Sequence, residues 1–533
     1  MPPELLPKLL ALLLYGVILI VLGLIASRRM RDVREYFAGG KRMGFLSVAF
    51  SSRATGESAW LLLGLTGMGA AVGVKAYWVV LGELLGVGLA WMVMSRRFKR
   101  LTDTYDSVTI PDYLESRFRD SGHLLRLIAA GTLVVFVTIY VSAQIDATGK
   151  AFESMLGFNE LFAGIHKDAG YVIGAVLGFI LVLIYITSGG FVAVVWSDVF
   201  QGLMMVVGLV ALPIVAYGAV GGMDPLLETL RRIDPALLHW NHGEGLTLLS
   251  VASLVGLMAI GLGFLGSPQV FVRFIALRSE REIPKGTAVA IIWTILADSG
   301  AVSIGILGRA LYEGHTFTDY ETILPMLVGG ADVAGSAGQL LPAFVGGLFI
   351  AVVLSAIMST IDSLLVVAGS AAVRDYYQKT IRPDLPDESL VRASRMATFI
   401  IACLGLLLAL IVAMVAKDRS IFWFVIFGWS GIAATFCPTI ILSLFWKGMT
   451  SRGAKFAMVT GFICVPVFKF GFARIDGDAG RFFTELDVLG PSFLISGIVG
   501  VVISLTDPRG RARVADFDAD LRAATEPDQP PET

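Results

Sequence analysis

The sequence predicts an all-α, polytopic membrane protein, and three observations carry that reading. Apolar residues make up 56% of the 533-residue chain and charged residues only 16%, giving a mean hydropathy of +0.76. The apolar residues fall into long runs, and a bilayer admits only elements that satisfy their own backbone, here helices. Glycine occurs 59 times, which suits close packing and interruption of membrane helices. The net charge of −1 offers no footprint for nucleic acid. Cys403, Cys437 and Cys464 fall inside predicted spans without metal-ligand spacing and read as small core residues, unbridged.

Thirteen spans are expected, at 5–27, 43–72, 77–94, 122–153, 171–187, 190–219, 247–272, 284–311, 341–373, 391–416, 420–445, 454–471 and 490–505. The first run could pass for a signal peptide. Its positive charges follow it, however (Arg28, Arg29, Arg31, Arg34), so it reads as an uncleaved helix with the N-terminus outside. That layout places most of the 42 Lys and Arg in inside segments, in clusters such as Arg96–Arg100, Arg273–Lys285 and Arg509–Arg513. An odd number of spans puts the C-terminus inside. Two outside loops are long, and each holds a candidate surface helix, around Asp224–Leu238 and Tyr320–Val328. The charged tail from 506 to 533 has no apolar period and is expected to be flexible.

The second span is interrupted by a polar cluster, Ser51-Ser-Arg53-Ala-Thr55-Gly-Glu57-Ser58-Ala-Trp60. Charged groups at that depth cost several kcal/mol unless paired or facing a watery cavity. Gly56 among small residues allows the helix to unwind, and freed carbonyls at membrane depth can hold a cation. A kinked core helix with a buried Arg53–Glu57 pair is the competing reading. The seventh span is broken too, by Gly261, Gly263, Gly266 and Pro268. It lies five spans after the first, and two interrupted helices in corresponding positions point to a transporter binding site. The implied organisation is an inverted repeat of five plus five, 43–220 and 247–446. An extra helix and loop at 1–42, two extra helices at 447–505 and the tail at 506–533 complete the chain.

The ninth span carries Ala356, Ser359, Thr360 and Ser363 at i, i+3, i+4 and i+7, one helical stripe. Such oxygens suit a small hard cation, although Ser and Thr in membrane helices commonly bond back to their own backbone. Glu83, Gln144, Asp146, Asp198, Asp298, Arg309 and Asp362 are further polar residues at membrane depth. Intramembrane acids are functional candidates. Asp298, lacking a neighbouring motif, reads as structural, and Arg309 lies near enough a span end to snorkel.

Several ordered stretches resemble the sodium:solute symporters: REYFAGGKRMG, SSRATGESAW, TIYVSAQIDATGKAFE, YITSGGFVAVVWSDVFQ, GFLGSPQVFVRF and SAIMSTIDSLLVV. The resemblance implies a LeuT-type fold and a Na+ site made by the carbonyls of Ala54, Glu57 and Ala356 with the hydroxyls of Ser359 and Thr360. It links Asp198 to sodium coupling, and places Asp362 and Ser363 where a second sodium or proton site occurs in some members. Ser58, Trp60, Tyr140 and Pro268 match the pattern of members that carry proline. Phe264 stands where that pattern has tyrosine, Ile260 where it has tryptophan and Gly56 where it has aspartate. Thr55, Glu83, Gln144 and Phe264 complete the candidate solute-facing set. The expected activity is sodium-coupled symport of a small polar solute across the inner membrane, with proline the first guess. Another amino acid, an organic acid such as sialic acid or pantothenate, and proton coupling are the alternatives. A sensor would need a signalling domain, where the sequence offers only the short tail. An enzyme would need a nucleophile triad or metal-binding His pair, which five histidines do not supply. The sequence leaves oligomeric state open.

Overall fold

The computed structural model describes residues 4–27, 38–166, 168–329, 340–382, 384, 386–416 and 419–525. Among the described residues the regular elements are all helices; extended pairing is confined to the isolated Met43–Leu277 bridge. Among the described residues, ten helices are long and apolar enough to cross a bilayer. The bent pair Asp478–Leu486 and Leu489–Leu505 gives an eleventh. The protein is therefore a multi-pass membrane protein, and each of the thirteen expected spans coincides with helix. The fifth and sixth meet as one element, Ala169–Val220, bent at Gly190, where φ is 55° and ψ −158°. The loop helices form as expected, at Met223–Ile233 and Ile323–Gly329. The Arg28–Arg34 cluster and the 330–339 end of the second loop lie outside the described residues.

Both predicted breaks are present. The Phe45–Gly56 helix stops at Glu57, whose backbone is extended (φ −89°, ψ 137°), and helical winding resumes at Trp60. The Leu248–Ala259 helix tightens into a 3-10 turn at Ile260–Leu265, opens at Gly266 (φ 151°) and restarts at Pro268. Proline suits the first turn of a helix, where its missing N–H costs nothing. Around the first broken helix stand Ala169–Val220, Pro268–Ala276, Ile283–Leu311 and Ala343–Ser370. The two C-terminal membrane helices, Ser451–Phe470 and Leu489–Leu505, pack on each other and on Ile421–Phe445, and Leu489–Leu505 also touches Leu248–Ala259 and the 3-10 turn of the second break.

The 3-10 turn crosses the Tyr77–Leu89 helix backbone to backbone. A Cβ on Gly261 would sit 1.9 Å from the Gly82 carbonyl oxygen, and one on Gly86 2.0 Å from the Gly261 carbonyl. Neither partner is a side chain that can turn away. Gly261→Ala is expected to force the two segments apart at a cost of about 1–3 kcal/mol. Thermal unfolding of the detergent-solubilised protein would read this as a lowered Tm, whereas an unchanged Tm would mean that the crossing can relax.

The tail departs from its expected flexibility. Pro508–Ala512 and Ala515–Ala523 are helical. Tyr105 Oη donates to Asp520 Oδ2 at 2.8 Å, Arg119 lies 3.6 Å from Asp520, and Lys447 lies 3.8 Å from Asp518. Complementary charge on distant segments, invisible to a search for apolar period, docks it together with the apolar contacts of Leu521 and Ala524. The terminal EPDQPPET stretch lies outside the described residues.

Candidate functional site

Unwinding at Glu57 and Ser58 frees the carbonyls of the preceding turn, and buried side chains take them up. Ser359 Oγ donates to Ala54 O at 2.9 Å and approaches Ala356 O at 3.2 Å. Thr360 Oγ1 lies 2.8 Å from Glu57 O, 3.1 Å from Ala356 O and 3.2 Å from Thr55 O. Trp60 Nε1 donates to Gly56 O at 3.3 Å. The five oxygens expected to act together, from Ala54, Glu57, Ala356, Ser359 and Thr360, thus converge between the broken helix and the hydroxyl stripe. All five residues are fully buried. Their donor set is oxygen throughout and uncharged, the chemistry a hard monovalent cation accepts. The hydroxyls can rotate to present lone pairs to such an ion.

A second group lies one turn away. Asp198 Oδ2 accepts from Ser51 Oγ at 2.6 Å and from Arg273 Nη2 at 3.1 Å, with Thr55 Oγ1 at 3.4 Å. Arg273 also donates to Thr55 Oγ1 at 2.7 Å and to Ser363 Oγ, and Ser363 Oγ lies 3.3 Å from Asp362 Oδ1. The residues expected to form a further cation or proton site are therefore neighbours, with a guanidinium among them. By position in the sequence Arg273 belongs with the inside loop charges. The structure corrects that: its side chain is fully buried, on a helix whose flanking residues are apolar. An arginine inside the run VFVRFIA was the signal.

The solute-facing candidates divide. Ser58 Oγ accepts from Gln144 Nε2 at 3.1 Å, and Gln144 Oε1 accepts from Ala59 N at 3.1 Å, so these polar groups brace the unwound segment. Trp60 meets Phe422 edge-on at 6.1 Å, Tyr140 meets Trp429 at 6.5 Å, and Phe264 meets Trp429 at 5.0 Å. Phe264 packs directly on Gly56, where a Cβ would lie 2.5 Å from its ring. Ser58, Trp60, Tyr140, Gln144 and Phe264 thus surround the first break, joined by Phe422 and Trp429, which the sequence reading missed inside the aromatic run FWFVIFGW. Phe422 also lines a cavity of about 690 Å³ with Gly64, Met68, Tyr320, Glu321 and Trp423. Glu321 anchors that side by accepting from the amides of Ile421 and Phe422 at 2.8 and 2.9 Å. Three expected members point elsewhere. Thr55 joins the Asp198 group, and Pro268 lines a separate small cavity with Thr109 and Val366.

Glu83 is the third, and its destination explains the charges at the break. Arg53 Nη2 donates to Glu57 Oε1 and to Glu83 Oε2, the latter at 3.0 Å, and lies 4.0 Å from Asp298 Oδ2. Its guanidinium also stacks over Phe264 at 4.7 Å and Trp293 at 5.3 Å. The three carboxylates lie within 4.8 Å of one another, all buried. The expected Arg53–Glu57 pair therefore exists, but within a larger group that includes Asp298. Unwinding and pairing, offered as competing readings, occur together.

The opposite end of the hydroxyl-bearing helix is latched by charge. Arg126 pairs with Asp112 at 2.7 Å, Glu115 at 2.6 Å and Asp375, and Arg374 reaches Asp112 at 3.3 Å. Burial raises the Asp112 carboxyl, but the Arg374 and Arg126 guanidiniums outweigh it and hold it below the usual carboxylate range.

The family model for the "Sodium:solute symporter family" matches residues 36–461. The chain belongs to this family. It is a transporter, with sodium as its coupling ion, and not an enzyme. The symporter is 34% identical over 446 residues to the "High-affinity proline transporter PutP" of Bacillus subtilis, covering 83% of this chain and 88% of that protein. It is 28% identical to the "Sodium/proline symporter" of Escherichia coli K12, covering 97% of each. Among solved structures, a Na+-coupled sialic acid symporter in a substrate-bound outward-open state superposes with a TM-score of 0.73. That match covers 94% of this chain and 98% of the other at 19% identity. MhsT in complex with L-phenylalanine follows with a TM-score of 0.53 at 16% identity, covering 87% of this chain and 98% of that one. These likenesses show the LeuT-type fold.

Proposed function

We propose that this symporter takes up proline with sodium across the cytoplasmic membrane. The observation that carries the reading is the convergence of Ala54, Glu57, Ala356, Ser359 and Thr360 oxygens at the first break. A sodium ion there would draw on those five oxygens and tie the unwound segment to the hydroxyl stripe. The solute would lie beside it, against Trp60, Tyr140, Phe264 and Trp429, with Ser58 and Gln144 supplying polar contacts. Proline is favoured because the relatives named above are proline transporters, and because aromatic walls suit its apolar ring. The charge layout supports an N-terminus outside, thirteen crossings and a C-terminus inside. The five-plus-five repeat follows from the placement of the two breaks.

Coupling needs sodium and solute each to favour the same conformation. Loss of the contact between the broken helix and the stripe on opening inward would release both. Membrane potential contributes about 2.3 kcal/mol per charge per 100 mV, besides the sodium gradient. Uptake of labelled proline into proteoliposomes, with unlabelled amino acids, sialic acid and pantothenate as competitors, tests the solute. Proline is expected to compete best. Absence of proline uptake, with accumulation of an organic acid, would overturn the choice of solute while leaving the sodium site standing.

A further inference from the structure

A cavity lined by none of the residues of either break combines positive charge with membrane-facing apolar surface. It lies at the end of the bundle where the C-terminal helices dock, has a volume of about 540 Å³, and is lined by Arg96, Arg97, Arg100, Met92, Ile283 and Thr525 among others. The three guanidiniums are not equivalent. Arg100 is neutralised by Glu280, with contacts at 2.5 and 2.7 Å, and it also donates to the Ala524 carbonyl at 3.4 Å. Arg97 stacks over the Phe445 ring at 4.7 Å and donates to Leu444 O at 3.4 Å, both uncharged partners. Arg96 is exposed, and neither it nor Arg97 makes an ion pair among the described residues. Two uncompensated guanidiniums therefore face one concave site.

The geometry points to a binding site for the phosphate headgroup of an anionic phospholipid. Guanidinium is the side chain best matched to phosphate, through paired N–H donors and a charge that does not titrate away. Orienting the helices would need only the charges, not a cavity to hold a ligand. The source of the phosphate follows from the surface beside the site. Met92 is 62% exposed and Val93 46% exposed, and the two helices that meet there show Leu85, Leu89, Ile292 and Leu296 to the outside. An acyl chain would cover that surface, which a free phosphate has no use for. Basic pockets between membrane helices near the headgroup layer are recognised lipid sites in physical terms. The docked tail supplies one wall through Thr525, so an occupied site would also hold the tail in place.

Thermal unfolding of the full-length protein in detergent tests this, with added phosphatidylglycerol, phosphatidylcholine or inorganic phosphate. Phosphatidylglycerol is expected to raise Tm, and phosphatidylcholine and inorganic phosphate at equal concentration are not. In the Arg96→Gln/Arg97→Gln variant, half-maximal stabilisation should need at least about tenfold more phosphatidylglycerol, the loss of roughly one charge-assisted contact. An equal shift with phosphatidylcholine, or an undiminished shift in the variant, overturns the site. An equal shift with inorganic phosphate overturns the lipid as its occupant. Should the variant fail to fold, native mass spectrometry of the unaltered protein decides. Preferential retention of phosphatidylglycerol over phosphatidylcholine supports the site, and equal retention overturns it.

Discussion

Thr360→Ala is expected to raise the sodium concentration for half-maximal uptake by about tenfold or more. Thr360 Oγ1 stands within hydrogen-bond distance of three carbonyls, those of Thr55, Glu57 and Ala356. Alanine removes the clasp that holds the unwound segment against the stripe and, on the proposed site, a cation ligand. A contact to a charged group is worth about 1.5–3 kcal/mol, and each 1.4 kcal/mol is a factor of ten. Thr360→Ser keeps the hydroxyl and should keep most of the affinity. The check is initial uptake rate against sodium concentration at fixed pH and saturating solute. An unchanged half-saturation in Thr360→Ala would remove Thr360 from the ligand set.

Arg53→Met is expected to cost about 3–5 kcal/mol of stability, the range for leaving buried charge without its partner. Among the described residues Arg53 is the one guanidinium paired with Glu57 and Glu83 and within 4.0 Å of Asp298, and all four side chains are buried. Methionine keeps the length and apolar contact with Phe264 and Trp293 while removing the charge. Glu57→Gln and Glu83→Gln placed on top of Arg53→Met should restore part of the loss, because the repulsion they relieve is no longer offset by the arginine. A double-mutant cycle on thermal unfolding measures that coupling. Additive effects would mean that these groups do not act as a unit.

The sequence made the breaks and the stripe readable because their signals are local. Gly56 beside Ser58, the Gly261–Pro268 run and hydroxyls at helical spacing each state their consequence within one or two turns. The Arg53 group was not readable in full. Glu57 lies four residues from Arg53, but Glu83 and Asp298 reach it only through the packing of two other helices. Asp298 consequently read as an isolated structural acid, and Glu83 as a group facing solute. Arg273 was misplaced for a related reason. A positive charge near a span end is usually topology; the apolar run VFVRFIA hinted at burial, but its partner Asp198 is set by the tertiary arrangement. Trp429 and Phe422 belong to a span whose aromatic content is ordinary for membrane helices, so no pattern marked them. The tail docks by scattered ion pairs and single apolar contacts that leave no periodicity to detect.

The central claim is that sodium, held between the first break and the Ala356–Thr360 stripe, drives uptake. Solute accumulation in proteoliposomes under opposed gradients tests it most directly, with a sodium gradient at clamped pH in one arm and a pH gradient without sodium in the other. Accumulation is expected to follow the sodium gradient, to be enhanced by an inside-negative potential and to ignore the pH gradient. Accumulation that follows the pH gradient and is indifferent to sodium would contradict it.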